Sequence, residues 1–166
     1  GEDSLSALPI FKASDAFLDQ LNLVTEAYLP VQHALSHDAI EGLDALVGVL
    51  HATIDALPSP SAEEEQSSSW HSLQASLHKA ASEMTDSSSD LAKVRESFSP
   101  LSRALSQVLA QWGSSFSSEL YLLHCPMAFK GQGADWIQTH QAVENPYFGD
   151  RMFACGEVKK TLHQSH

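Results

Sequence analysis

The sequence predicts a mainly α protein, an up-down four-helix bundle closed at one end by a small cap of loops and two short strands. Three observations carry that prediction. Apolar residues recur at three- and four-residue spacing from about Phe17 to Trp112, the mark of helices with one buried stripe. The four such runs are separated by short or polar links. After Gly113 the helical period gives way to a short apolar run followed by glycine and proline. The bundle is placed at 13–113 and the cap at 119–162, within a single domain of 1–166.

In the first run Phe17, Leu21, Val24, Tyr28, Val31 and Leu35 form the stripe, with Ser14 or Asp15 placed to cap its start. Ile40, Leu43, Val47, Leu50, Ile54 and Leu57 form the second, entered through Ser36-His37-Asp38, whose polar side chains suit a helix N-terminus. Only a tight turn separates the two, so they run antiparallel. Pro58 to Ser69 has no apolar period and collects prolines, acids and serines, which predicts an exposed loop. Trp70, Leu73, Leu77, Ala80 or Ala81, and Met84 mark the third helix. Asp90 opens the fourth, which carries Leu91, Val94, Phe98, Leu101, Leu105, Val108 and Trp112 and closes at Gly113. Pro30 and Pro100 each remove a backbone bond, yet the stripe keeps phase across both. Kinked helices follow, or else shorter separate ones, with Ser99 as a cap before Pro100.

Beyond Gly113, Leu120-Tyr121-Leu122-Leu123 suits a buried strand, and Val158 to Leu162 suits a second strand paired with it. Any helical period in between is confined to Trp136 to Val143. The strand pairing juxtaposes Cys125-Pro126-Met127 with Met152-Phe153-Ala154-Cys155. Two thiols and two thioethers in mirrored motifs are the donors that a soft ion such as Cu(I) prefers over hard cations. On extended backbone, Cys125 and Met127 share a face; on a helical turn, so do Met152 and Cys155. Cys125, Met127, Met152 and Cys155 are therefore the candidate metal ligands.

With 9 Lys and Arg against 21 Asp and Glu, the net charge of −12 disfavours nucleic acid and anionic membrane as partners. No apolar run is long enough for a bilayer span, so direct membrane insertion is not expected. A chain of 166 residues buries a core without needing a metal to fold, so a metal site here serves function. Gly1-Glu2-Asp3 reads as a processing scar or a cut end, which leaves export open. No nucleophile elbow, P-loop or zinc-protease motif is present, and a binding role without turnover is expected.

The run Cys125-Pro126-Met127-Ala128-Phe129, then Gly133-Ala134-Asp135-Trp136, Asn145 to Met152, and Cys155-Gly156-Glu157-Val158 resembles the DUF3347 family of bacterial extracytoplasmic proteins. The likeness is dense over Tyr121 to Leu162, and the helices add less to it. Lys130-Gly131-Gln132 and Phe153 depart from the family pattern without touching a candidate ligand. The resemblance implies a periplasmic or otherwise extracytoplasmic copper-binding role in copper or heavy-metal homeostasis. Its partners would be a metal ion and a heavy-metal efflux complex or copper chaperone.

Competing readings stay open at this point. A Cys125–Cys155 disulfide would close a loop of about 30 residues, worth about 3.5 kcal/mol by chain entropy. It would leave an interaction module of an efflux assembly with no metal site of its own. A redox-linked site lies between the two readings. Zinc would draw on His124 and His140 beside the cysteines, although strand alternation turns His124 away from Cys125. His33 and His37 are read as solvated surface, His71 and His78 as outward-facing, and His163 and His166 as tail residues or a weak secondary patch.

Overall fold

The structure, a computed structural model, describes residues 8–162. Four helices, α1 (Asp15–Ser36), α2 (Leu43–Asp55), α3 (Glu64–Asp86) and α4 (Leu91–Trp112), precede a three-stranded sheet of β1 (Leu120–Cys125), β2 (Ala134–Gln138) and β3 (Glu157–Leu162). Successive helices pack as neighbours, α1 on α2, α2 on α3 and α3 on α4, and β2 lies against α4 and α1. No helix among the described residues is long and apolar enough to cross a membrane.

The stripes face inward as their spacing requires. Phe17, Leu21, Val24, Tyr28, Val31 and Leu35 of α1 are buried, as are Val94, Phe98, Leu101, Leu105, Val108 and Trp112 of α4. Ser14 caps α1 by accepting from the Phe17 N–H at 3.2 Å, and Asp90 caps α4 by accepting from Lys93. Both α1 and α4 run unbroken through Pro30 and Pro100. Each proline is exposed, and so are Glu26 and Glu96 one turn back, so the carbonyl left without its helical partner sits on the wet side.

Three boundaries differ from the sequence expectation. Helix α2 starts at Leu43 rather than at Asp38, and Ile40 is 41 % exposed. Asp38 adopts φ 54°, which a right-handed helix cannot include, and its carboxylate is engaged by Arg95 instead of capping. Gly42, at φ 82°, makes the entry turn. Helix α3 begins at Glu64, inside the segment read as a loop. Gln66 is buried there because its amide oxygen accepts the Trp112 indole N–H at 2.8 Å, while Glu64 and Glu65 complement the helix N-terminus. The cap has three strands, not two: Ala134–Gln138, partly assigned to a helical period, is an edge strand. With β1 central, both of its edges find partners only if this segment is extended, and Trp136 and Ile137 are then buried against the bundle.

β1 pairs antiparallel with β3, as expected, with Leu120 opposite Leu162 and a bulge between Leu122 and Leu123. On its other edge Cys125 lies opposite Ala134 and His124 opposite Asp135. The cap joins the bundle through aromatic rings and one hydroxyl. Tyr28 stacks on Phe98 with centroids 4.8 Å apart, and Tyr147 meets Phe98, Phe129 and Trp136. The buried Tyr28 hydroxyl pairs with Ser102 Oγ at 2.7 Å and accepts the Ile137 N–H at 3.0 Å, tying α1, α4 and β2 at one atom. Burial raises its pKa and keeps it a phenol at every ordinary pH.

Removing that oxygen leaves the Ile137 N–H and the Ser102 hydroxyl buried without their partner. Tyr28→Phe should cost about 1–3 kcal/mol in urea unfolding. Tyr121→Phe, whose hydroxyl bonds Glu119 at the surface, should change stability by less than about 0.5 kcal/mol.

Candidate metal centre

The sheet delivers Cys125 at the end of β1, fully buried, and the approach to β3 delivers Cys155, half-buried. Their Sγ atoms are 3.1 Å apart as unbonded thiols. Three contacts hold the Cys155 side of this pair. Asn145 Nδ2 donates to the Cys155 carbonyl at 2.7 Å, the Asn145 N–H donates to the Phe153 carbonyl, and the Cys155 N–H closes a turn on the Met152 carbonyl at 3.0 Å. Gly156, at φ 136°, lets the chain pass Trp136 and the His124 carbonyl, where a Cβ would come within about 3 Å of both. The Cys155 thiol titrates above its ordinary range because it shares a hydrogen bond with Cys125 and is partly desolvated, and the Met127 N–H opposes that weakly.

The thioethers sit differently. Pro126 does not hold Cys125-Pro126-Met127 extended, because Met127 is in the αR region (φ −87°, ψ −11°) and starts a tight turn over Ala128–Gly131. Phe129 and Lys130 in that turn take left-handed angles, and the Phe129 ring leans on Tyr147. Met127 is 56 % exposed and Met152 39 % exposed. The structure thus joins the two thiols directly and leaves the two methionine side chains in solvent on the turns that bear them. His124 points away from Cys125, as strand alternation dictates, and bonds Asp135 across the sheet at 2.7 Å. His140 lies beside Glu144, not beside the thiols.

Sequence reading passed over a second gathering. His33 in the last turn of α1 and His37 at its C-cap have ring centroids 4.1 Å apart, and Glu144 approaches His33 Nδ1 at 3.6 Å. The spacing of four was visible, but Glu144 and His140 arrive from a loop more than a hundred residues away, and no local pattern announces that meeting. His51, Asp55 and His78 form a further cluster across α2 and α3, while His71 is exposed. His163 and His166 lie outside the described residues.

One cation locks this end of the molecule. Arg95 of α4 donates to the Pro146 carbonyl at 2.7 Å, to the Leu35 carbonyl at 2.5 Å and to Asp38 Oδ1 at 2.7 Å. The other oxygen of Asp38 accepts the Asp150 N–H at 2.9 Å. The guanidinium and this N–H hold the Asp38 carboxyl below the usual carboxylate range.

Fold and site together define a class: an acidic helical bundle whose small terminal sheet collects thiol and imidazole donors at one end. A family described as a protein of unknown function (DUF3347) matches residues 24–116. That is more than half of the chain, which belongs to this family. The match falls on the helices and does not extend over the cap, where the sequence motifs were expected to carry the denser likeness. No curated protein and no solved structure matches the chain.

Two outcomes follow from the Arg95 lock. A Cβ at Gly149, where φ is 57°, would collide with the Asp38 carboxylate and lie 2.7 Å from Arg95 Nη2. Gly149→Ala should therefore cost at least about 1 kcal/mol, read by thermal unfolding. Because the folded carboxyl of Asp38 is depressed, its contribution is full above its unfolded value of 3.8 and is lost as pH falls through the folded value. The stability gap between wild type and Asp38→Asn should accordingly be widest above pH 4 and close below it, as followed by urea unfolding at stepped pH.

Proposed function

We propose that this protein binds Cu(I) through Cys125 and Cys155, with Met127 and Met152 as accessory donors. It would act outside the cytoplasm in copper or heavy-metal homeostasis, buffering the ion or passing it to an efflux partner without chemical turnover. The observation that carries this reading is the meeting of two unbonded thiols, 3.1 Å apart, from positions thirty residues apart in sequence. Paired thiolates are donors that a soft monovalent ion favours. The exposed methionines on the flanking turns stand where an arriving ion would first meet protein sulfur. The acidic surface adds a long-range attraction for cations. The extracytoplasmic setting rests on the resemblance of the cap motifs.

Binding displaces protons from the thiols, and the raised pKa of Cys155 makes that displacement part of the binding equilibrium at neutral pH. The same proximity supports a second reading, in which the thiols oxidise to a disulfide and the cap serves as an interaction module. Titration of reduced protein with Cu(I) against a competing chelator separates the two. Cys125→Ser and Cys155→Ser should abolish tight binding, while Met127→Leu and Met152→Leu should weaken it. Apparent affinity should fall by up to about tenfold per pH unit for each proton displaced as the solution is acidified. Binding by the serine variants equal to wild type would refute the assignment. A free-thiol count of zero on protein purified without reductant, together with no Cu(I) uptake after reduction, would favour the disulfide module.

A further inference from the structure

We propose that His33, His37 and Glu144 form a site for a borderline divalent ion such as Zn(II). This site is separate from the thiol pair and independent of its function. One donor atom from each of His33, His37 and Glu144 lies within 4.8 Å of the others, the spread a single ion can draw together. Imidazole and carboxylate are ligands that zinc accepts in a four-coordinate shell.

The donors are oriented from behind, as metal ligands usually are. His37 Nδ1 lies 2.9 Å from the His33 carbonyl, which can only accept. Ser36 Oγ lies 3.0 Å from the same nitrogen, so two contacts fix the plane of the ring. Glu144 is fixed through its backbone: its carbonyl accepts Gln32 Nε2 at 2.7 Å, and its N–H donates to Gln138 Oε1 at 3.3 Å. Gln138, itself buried, also holds the loop that carries His140 by donating to the His140 and Ala142 carbonyls. The Glu144 carboxylate is only 19 % exposed and faces His33 through one oxygen and His140 through the other. A half-buried carboxylate within reach of two imidazoles is a seat for a dication, since the ion replaces the imidazole contacts with stronger ones. In the cluster on α2 and α3, His51 is likewise held from behind by Thr85, but its carboxylate, Asp55, is 47 % exposed on a helix surface.

The full chain should be titrated with Zn(II) by calorimetry, wild type against His33→Gln/His37→Gln, His51→Gln/His78→Gln and Cys125→Ser/Cys155→Ser. Wild type should bind one equivalent that the first double variant loses or holds at least about tenfold more weakly. The other two variants should keep it, so failure of the copper reading would leave this result intact. In unmutated protein the ring nitrogens of His33 and His37 should shift in 15N spectra as zinc is added, which covers the case of a variant that misfolds. Stationary imidazole resonances, or loss of the equivalent only in the His51/His78 or cysteine variants, would overturn the proposal.

Discussion

Arg95 holds together the end of the molecule where the first helix meets the loops of the cap. Its guanidinium reaches the last turn of α1, the Asp38 corner and the Pro146 carbonyl of the cap. A guanidinium satisfies several acceptors at once because its N–H groups spread in a rigid fork. Its side chain is only 14 % exposed, so removing it would leave two buried carbonyls and a carboxylate without their donor. His37 immediately precedes Asp38, and Glu144 and Asn145 immediately precede Pro146. The lock therefore sets where the imidazoles stand, and through Asn145 it sets where Cys155 stands.

The two candidate centres divide the chemistry of the cap by softness. Thiols come from the strand end and the approach to β3; imidazoles and a carboxylate come from the helix end and the loop after β2. Strand alternation keeps His124 out of the thiol pair, sending Cys125 inward while His124 turns to Asp135. The buried Tyr28 and Tyr147 hydroxyls stay phenolic, because burial raises the pKa of each.

Most of the bundle was legible because helix spacing is a local property. The stripes of α1 and α4, the caps at Ser14 and Asp90 and the stop at Gly113 follow from residues a few positions apart. The misplaced boundaries share a cause. Asp38 is drawn from capping by Arg95, Gln66 is drawn into a helix by Trp112, and Ala134–Gln138 is drawn into a strand by the open edge of β1. Each is a partner distant in sequence overriding a local preference. The pairing of β1 with β3, which brings the cysteines together, was readable because β1 is a short apolar run and β3 a short segment carrying Val158 and Leu162, each beside a cysteine motif. The meeting of His33 with Glu144 was not, since nothing in either neighbourhood refers to the other.

The place of Phe153 in the fold has a consequence of its own. Its ring stands edge-on to His37 with centroids 5.3 Å apart, while its backbone lies two residues before Cys155. The turn that bears Cys155 and the tip of the first helix thus share one aromatic contact. An aliphatic side chain at 153 would lack the flat face that meets the imidazole edge-on there.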